Sequence, residues 1–174
     1  NGYNVLDVEP VLFQCPDEIA KRYFYRTYSA RYGNIYTVHQ LLQLLQEAMG
    51  LVSPENAVWE KDGKYYDAMR PGVDPDGAES PSEIRLLRKA HLECVKRLFC
   101  ELDVFIFTLG LTEAWRHRES KTVYPTAPGT IAGQYDPELY EFVNYDYNEI
   151  YSQFELFLST LKQHRGGKLP KILL

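Results

Sequence analysis

The feature that most constrains this chain is the run Asp103-Val104-Phe105-Ile106-Phe107-Thr108-Leu109. It is apolar without alternation, which predicts a strand covered on both faces. Helices flank it in sequence. Upstream, Ile35, Val38, Leu41, Leu42, Leu45, Ala48 and Met49 recur at spacings of three and four, the apolar face of a helix that starts at Ile35 and stops at Gly50. A second helix has Ser80 as its cap, Pro81 in the first position and Glu83 to complete a capping box. Its inner face reads Ile84, Leu87, His91, Cys94, Val95 and Leu98, with His91 as a packing histidine. Downstream, Tyr147, Ile150, Tyr151, Phe154, Phe157, Leu158 and Leu161 mark a third helix, capped by Asp146 or Asn144 and ended by Gly166-Gly167. The closing run Lys171-Ile172-Leu173-Leu174 reads as the next parallel strand. Helix, strand, long connection, helix, strand is the order of an α/β sheet with right-handed crossovers.

Two segments interrupt that order. Residues 51–80 are rich in Pro, Gly and Asp and contain a hairpin signal: Val58–Lys61 and Lys64–Asp67 flank Asp62-Gly63, a pair suited to a two-residue turn. Asp74-Pro75-Asp76-Gly77 is a second turn, and lacks the further ligands of a calcium loop. Residues 110–145 form a connection long enough to shape a site or a lid. Near the start, Asn4-Val5-Leu6-Asp7-Val8 reads as a short strand, and residues 16–33 carry a dense but irregular set of tyrosines. The apolar ending predicts an internal piece of a longer protein, a single incomplete domain over residues 1–174.

Composition excludes more than it selects. The 174 residues carry a net charge of −5 with no basic block, which disfavours nucleic acid and anionic membrane as partners. No apolar stretch reaches the roughly 20 residues that span a bilayer, and no signal-peptide pattern opens the chain. The three cysteines, Cys15, Cys94 and Cys100, form neither a disulfide framework nor a Cys-x-x-Cys zinc pair. No metal or cofactor is expected, and cytoplasmic is the default location.

The chemistry is expected beyond the end of the central strand, where open α/β sheets bind ligands. There the chain reads Leu109-Gly110-Leu111-Thr112-Glu113-Ala114-Trp115. Gly110 permits a sharp exit, and Thr112 and Glu113 follow either as a polar donor and carboxylate at a rim or as the start of a helix. Tyr32-Gly33-Asn34-Ile35, just before a helix, can present the Gly33 N–H to an anion. No serine lies in a nucleophile-elbow context and no phosphate loop is present.

Four segments carry a resemblance. Phe107-Thr108-Leu109-Gly110-Leu111-Thr112-Glu113-Ala114-Trp115 resembles the most recognisable internal motif of the GSCFA domain family. Tyr32-Gly33-Asn34-Ile35-Tyr36-Thr37, Arg70-Pro71-Gly72-Val73-Asp74-Pro75 and Tyr124-Pro125-Thr126-Ala127-Pro128-Gly129-Thr130 support it in the family's order. The family is grouped with SGNH (GDSL-like) hydrolases. The resemblance therefore implies a three-layer α/β/α sandwich with a mainly parallel, flavodoxin-like sheet, incomplete here at both ends. It also implies hydrolysis or transfer of acyl groups on the oxygen esters of small molecules or glycans, without a cofactor.

By the same resemblance Gly33 corresponds to the glycine donor of the second SGNH block, and Gly110-Leu111-Thr112 to the third. Thr112 stands where asparagine is usual and offers one rotatable hydroxyl in place of an amide. Asn34, Glu113 and Trp115 are implied to line the substrate. The name-giving Gly-Ser-Cys-Phe-Ala segment is absent, and none of His39, His91, His117 and His164 matches the late block. Nucleophile and base are thus expected outside the chain. Two other readings are a non-catalytic carbohydrate-binding module, with tyrosines and the Asp62-Gly63 hairpin gripping a glycan, and a glycosidase using Glu113.

Overall fold

The helices form where their caps direct them. A computed structural model describes residue 2, residues 4–11 and residues 14–174. A short helix, α1 (Asp17–Arg22), precedes α2 (Val38–Ala48). Thr37 caps α2 through a reciprocal box with Gln40, so the helix begins later than its apolar pattern. Ile35 lies outside it yet packs on the same core. Helix α3 (Pro81–Glu101) starts at Ser80, whose hydroxyl accepts the Glu83 N–H. The Glu83 carboxylate reaches back to the Glu79 N–H rather than to that of Ser80, so the expected box is displaced by one residue. Helix α4 (Tyr147–His164) is capped by Asp146 in a full box with Glu149. These helices bury one core, with Leu45, Val95, Phe157 and Leu161 at its centre and Phe105 and Phe107 laid against it.

Strands β1 (Val58–Lys61) and β2 (Lys64–Asp67) form the hairpin about Asp62-Gly63, in the register Val58 to Asp67. Strand β3 (Val104–Ile106) pairs in parallel with β7 (Lys171–Leu173). Among the described residues, parallel pairing is confined to these two strands. Among the described residues the architecture is mixed α/β with three small sheets. β3 departs from expectation on its faces. Phe105 and Phe107 turn to the core, but Val104 and Ile106 are exposed, Ile106 to 72 %. One layer of helices covers the pair, which leaves its other face open.

The long connection is not a loop. It folds as β4 (Glu113–His117), β5 (Val123–Tyr124) and β6 (Tyr140–Asn144), an antiparallel sheet in the order β5-β4-β6. Glu113-Ala114-Trp115 is therefore a strand and not a helix start. One face, with Ala114, Val123, Val143 and Tyr145, packs on Ile150 of α4. The other places Tyr124 and Tyr140 against Trp59 of the hairpin. Residues 4–8 form no strand; a backbone bond ties Val8 N–H to Ser29 O at 2.9 Å.

A buried ionic group fastens the hairpin to the helices. Arg88 of α3 bonds Asp67 of β2 at 2.9 Å and also Glu47 of α2, while Arg70 bonds Asp67 at 2.8 Å. Burial alone would raise the Asp67 carboxyl; the two guanidiniums offset that and hold it below its ordinary value. Arg88, rather than the exposed Leu87, is thus the inward residue of that turn of α3. His91 is buried and bonds Glu9 at 2.8 Å, a satisfied packing histidine. Tyr147 and Tyr151, expected on the inner face of α4, instead stack on each other in solvent.

Candidate functional site

The crest after β3 is built by chain segments far apart in sequence. Leu111 N–H donates to Tyr36 O at 2.9 Å, which joins residues 110–112 to the segment containing Gly33 and Asn34. A Cβ on Gly110 would stand 3.3 Å from that same carbonyl, so a glycine suits the approach. Gly33 is buried at φ +72°, backed by Val73 and the Arg70 side chain, where a larger residue is strained. The N–H groups of Gly33, Gly110 and Thr112 meet no backbone acceptor among the described residues.

Thr112 is held twice by the β6 end. Its carbonyl accepts the Tyr145 N–H at 2.9 Å, and its hydroxyl donates to Asn144 Oδ1 at 2.6 Å. Asn144 also stands opposite Glu113 in the β4–β6 register. Glu113 is exposed and makes no ion pair among the described residues. Asn34 is fixed by two tyrosines: Tyr28 donates to its Oδ1 at 2.6 Å, and its Nδ2 donates to the Tyr36 hydroxyl at 2.9 Å. Trp115 is half-buried and meets Tyr135 and Phe142 edge-on, with ring centroids 5.4 and 5.6 Å away.

Behind this crest, on the α2 side of the sheet, His39 stacks on Tyr145 with centroids 3.5 Å apart. Burial lowers the His39 imidazole to about 4; the Glu149 carboxylate pulls it up and Arg116 pushes it further down. It is a neutral ring at pH 7.

The structure thus joins the segments bearing Gly33, Asn34, Gly110 and Thr112, and places Glu113 and Trp115 along β4 from them. Tyr28, Tyr36 and Asn144 are not among the site residues expected from the sequence. The alternation of Tyr140, Phe142 and Asn144 could have flagged β6, but nothing local identifies its partner. Among the described residues, no serine or cysteine side chain bonds a histidine or a carboxylate. No group of three His, Cys, Asp or Glu able to hold a metal occurs among them either. No helix there is long and apolar enough to cross a membrane.

An α/β chain with a donor-bearing crest at the end of a parallel strand is the class these features define. The profile of the GSCFA family matches residues 15–174, and the chain belongs to that family. No curated protein and no solved structure matches it.

Proposed function

We propose that this chain carries the oxyanion-binding part of an SGNH-type esterase or acyltransferase acting on O-acyl esters of a small molecule or glycan. In this reading the β3–β7 pair belongs to a larger, mainly parallel sheet of a three-layer sandwich. The observation that carries the reading is the Leu111–Tyr36 bond, which joins the segment bearing the Gly33 N–H to the unspent N–H groups of Gly110 and Thr112 beyond the end of a parallel strand.

The serine nucleophile and the histidine base come from outside this chain. Serine Oγ attacks the acyl carbonyl carbon while its proton passes to the imidazole. The carbonyl oxygen becomes an oxyanion and is held by the N–H groups of Gly33, Gly110 and Thr112. Collapse expels the alcohol, which takes the proton from the imidazolium. Water or an acceptor alcohol then releases the acyl group. Asn34, Glu113 and Trp115 contact the substrate. No cofactor enters these steps.

The test is Thr112→Ala in the protein that includes the serine. The substitution leaves the Thr112 N–H in place but removes the hydroxyl tie to Asn144 that positions it, and kcat falls by up to about 10² with little change in KM. An unchanged kcat removes Thr112 from the role. The 174-residue chain by itself is expected not to turn over 4-nitrophenyl acetate; serine-dependent turnover by it overturns the assignment of the nucleophile to another segment.

A further inference from the structure

The outer face of the β5-β4-β6 sheet is covered by the hairpin at one end only. Tyr124 and Tyr140 lie under Trp59, whereas at the Glu113 end the face is open. Phe142 and Tyr135 are exposed there to 53 % and 49 %, and both bracket Trp115. Aromatic rings left together in water mark a binding surface more often than chance. The edge of this group is polar. Asn144 Oδ1 is engaged by the Thr112 hydroxyl, which leaves the amide N–H₂ with two donors and Glu113 with a carboxylate acceptor.

Charge narrows the occupant. A nucleotide would also stack on these rings, but its phosphates need a free cation. In the β4–β6 register Arg116 and Glu141 stand one position from Trp115 and Phe142, so this ion pair lies on the opposite face, and Arg118 and Lys121 bond the same Glu141. What fits is a neutral molecule with flat C–H faces for the rings and many hydroxyls for the amide and carboxylate. We propose that Trp115, Phe142 and Tyr135, with Glu113 and Asn144 at their edge, form a docking platform for pyranose sugars. The alcohol half of the ester is then a carbohydrate, a step that rests on the acyl-ester reading above. The platform is on β4 and β6, not on the Asp62-Gly63 hairpin.

The chain holds two tryptophans, and Trp59 is 3 % exposed, so a sugar-dependent change in indole emission reports Trp115. Cellohexaose, xylohexaose, mannohexaose and chitohexaose are titrated separately into the chain. At least one gives a saturable blue shift with a Kd of about 1 mM or tighter. Phe142→Ala and Tyr135→Ala each weaken it at least about fivefold while leaving the far-ultraviolet dichroism unchanged, and Phe142→Tyr retains it. No response to any of the four up to about 10 mM overturns the platform. So does a response unchanged in both alanine variants. A concentration-dependent dimer that Phe142→Ala abolishes assigns the face to a second copy and also overturns it.

Turnover of 4-nitrophenyl acetate by the serine-bearing protein needs no sugar and separates the two ideas. Sugar binding without acyl turnover supports the platform and removes the esterase reading. Acyl turnover without sugar binding does the reverse.

Discussion

Arg88 shows how much can rest on one side chain. It is buried between Asp67 and Glu47, and burial already lifts the Glu47 carboxyl above its ordinary value despite the guanidinium beside it. Arg88→Met removes the cation and leaves both acids buried. The expected loss is about 3–5 kcal/mol in urea unfolding at pH 7, partly recovered by adding Glu47→Gln. A loss below about 1 kcal/mol means that water replaces the cation. His39 makes a pH-dependent contribution. Its folded pKa, about 4, lies below its ordinary unfolded value of about 6.5. The unfolded chain therefore binds the extra proton first. The His39 contribution is complete above pH 6.5 and is lost as pH falls toward 4. His39→Phe keeps the stack on Tyr145 and removes this sensitivity. Between pH 7 and pH 5 the variant loses about 2–4 °C less in Tm than the parent, after discounting for the part of the ring that water reaches. Equal losses remove His39 as a source.

At the scale of elements, the hairpin docks on the turn at residues 129–133. Gly133 N–H donates to Glu60 O at 2.9 Å, and at φ +75° a Cβ there would stand 2.9 Å from Trp59 Cγ. Gly133→Ala is expected to cost about 1–3 kcal/mol and to red-shift Trp59 emission as the hairpin lifts. Unshifted emission places the strain elsewhere. What was legible in the sequence follows the same division. The hairpin, α3 and α4 announce themselves through adjacent residues: Asp62-Gly63, Ser80-Pro81, and the apolar face from Tyr147 to Leu161 with Gly166-Gly167 at its end. The sheet from Glu113 to Asn144 does not, because each strand is five residues or fewer and its pairing spans a gap that no local signal bridges. The residues of the crest could be named from the resemblance. Their partners, Tyr36 and Asn144, could not, since those contacts exist only after β3, β4 and β6 are in place.

For the whole molecule, stability is uneven. The α2, α3 and α4 core buries Leu45, Val95, Phe157 and Leu161 completely, while β3 and β7 share three paired positions and one open face. The apolar run that looked doubly covered is covered once, and the single face of Phe105 and Phe107 carries its attachment. Amide exchange is expected to be fastest in β3 and β7 among the strands that contact the helical core, and slowest in α2 around Leu45. Equal protection of the two would require the open face to be covered in solution.

The Leu111–Tyr36 bond spans seventy-five residues of chain, across α2, the hairpin and α3. No fragment of the sequence can hold both ends of it in place. The crest is therefore among the last parts of the chain to assemble, after the loop entropy of the whole intervening stretch has been met. A molecule that touches residues on both sides of that bond recognises only the finished fold. It would act as a ligand of nativeness itself, raising the melting temperature with the logarithm of its free concentration above Kd and ignoring every partly folded form.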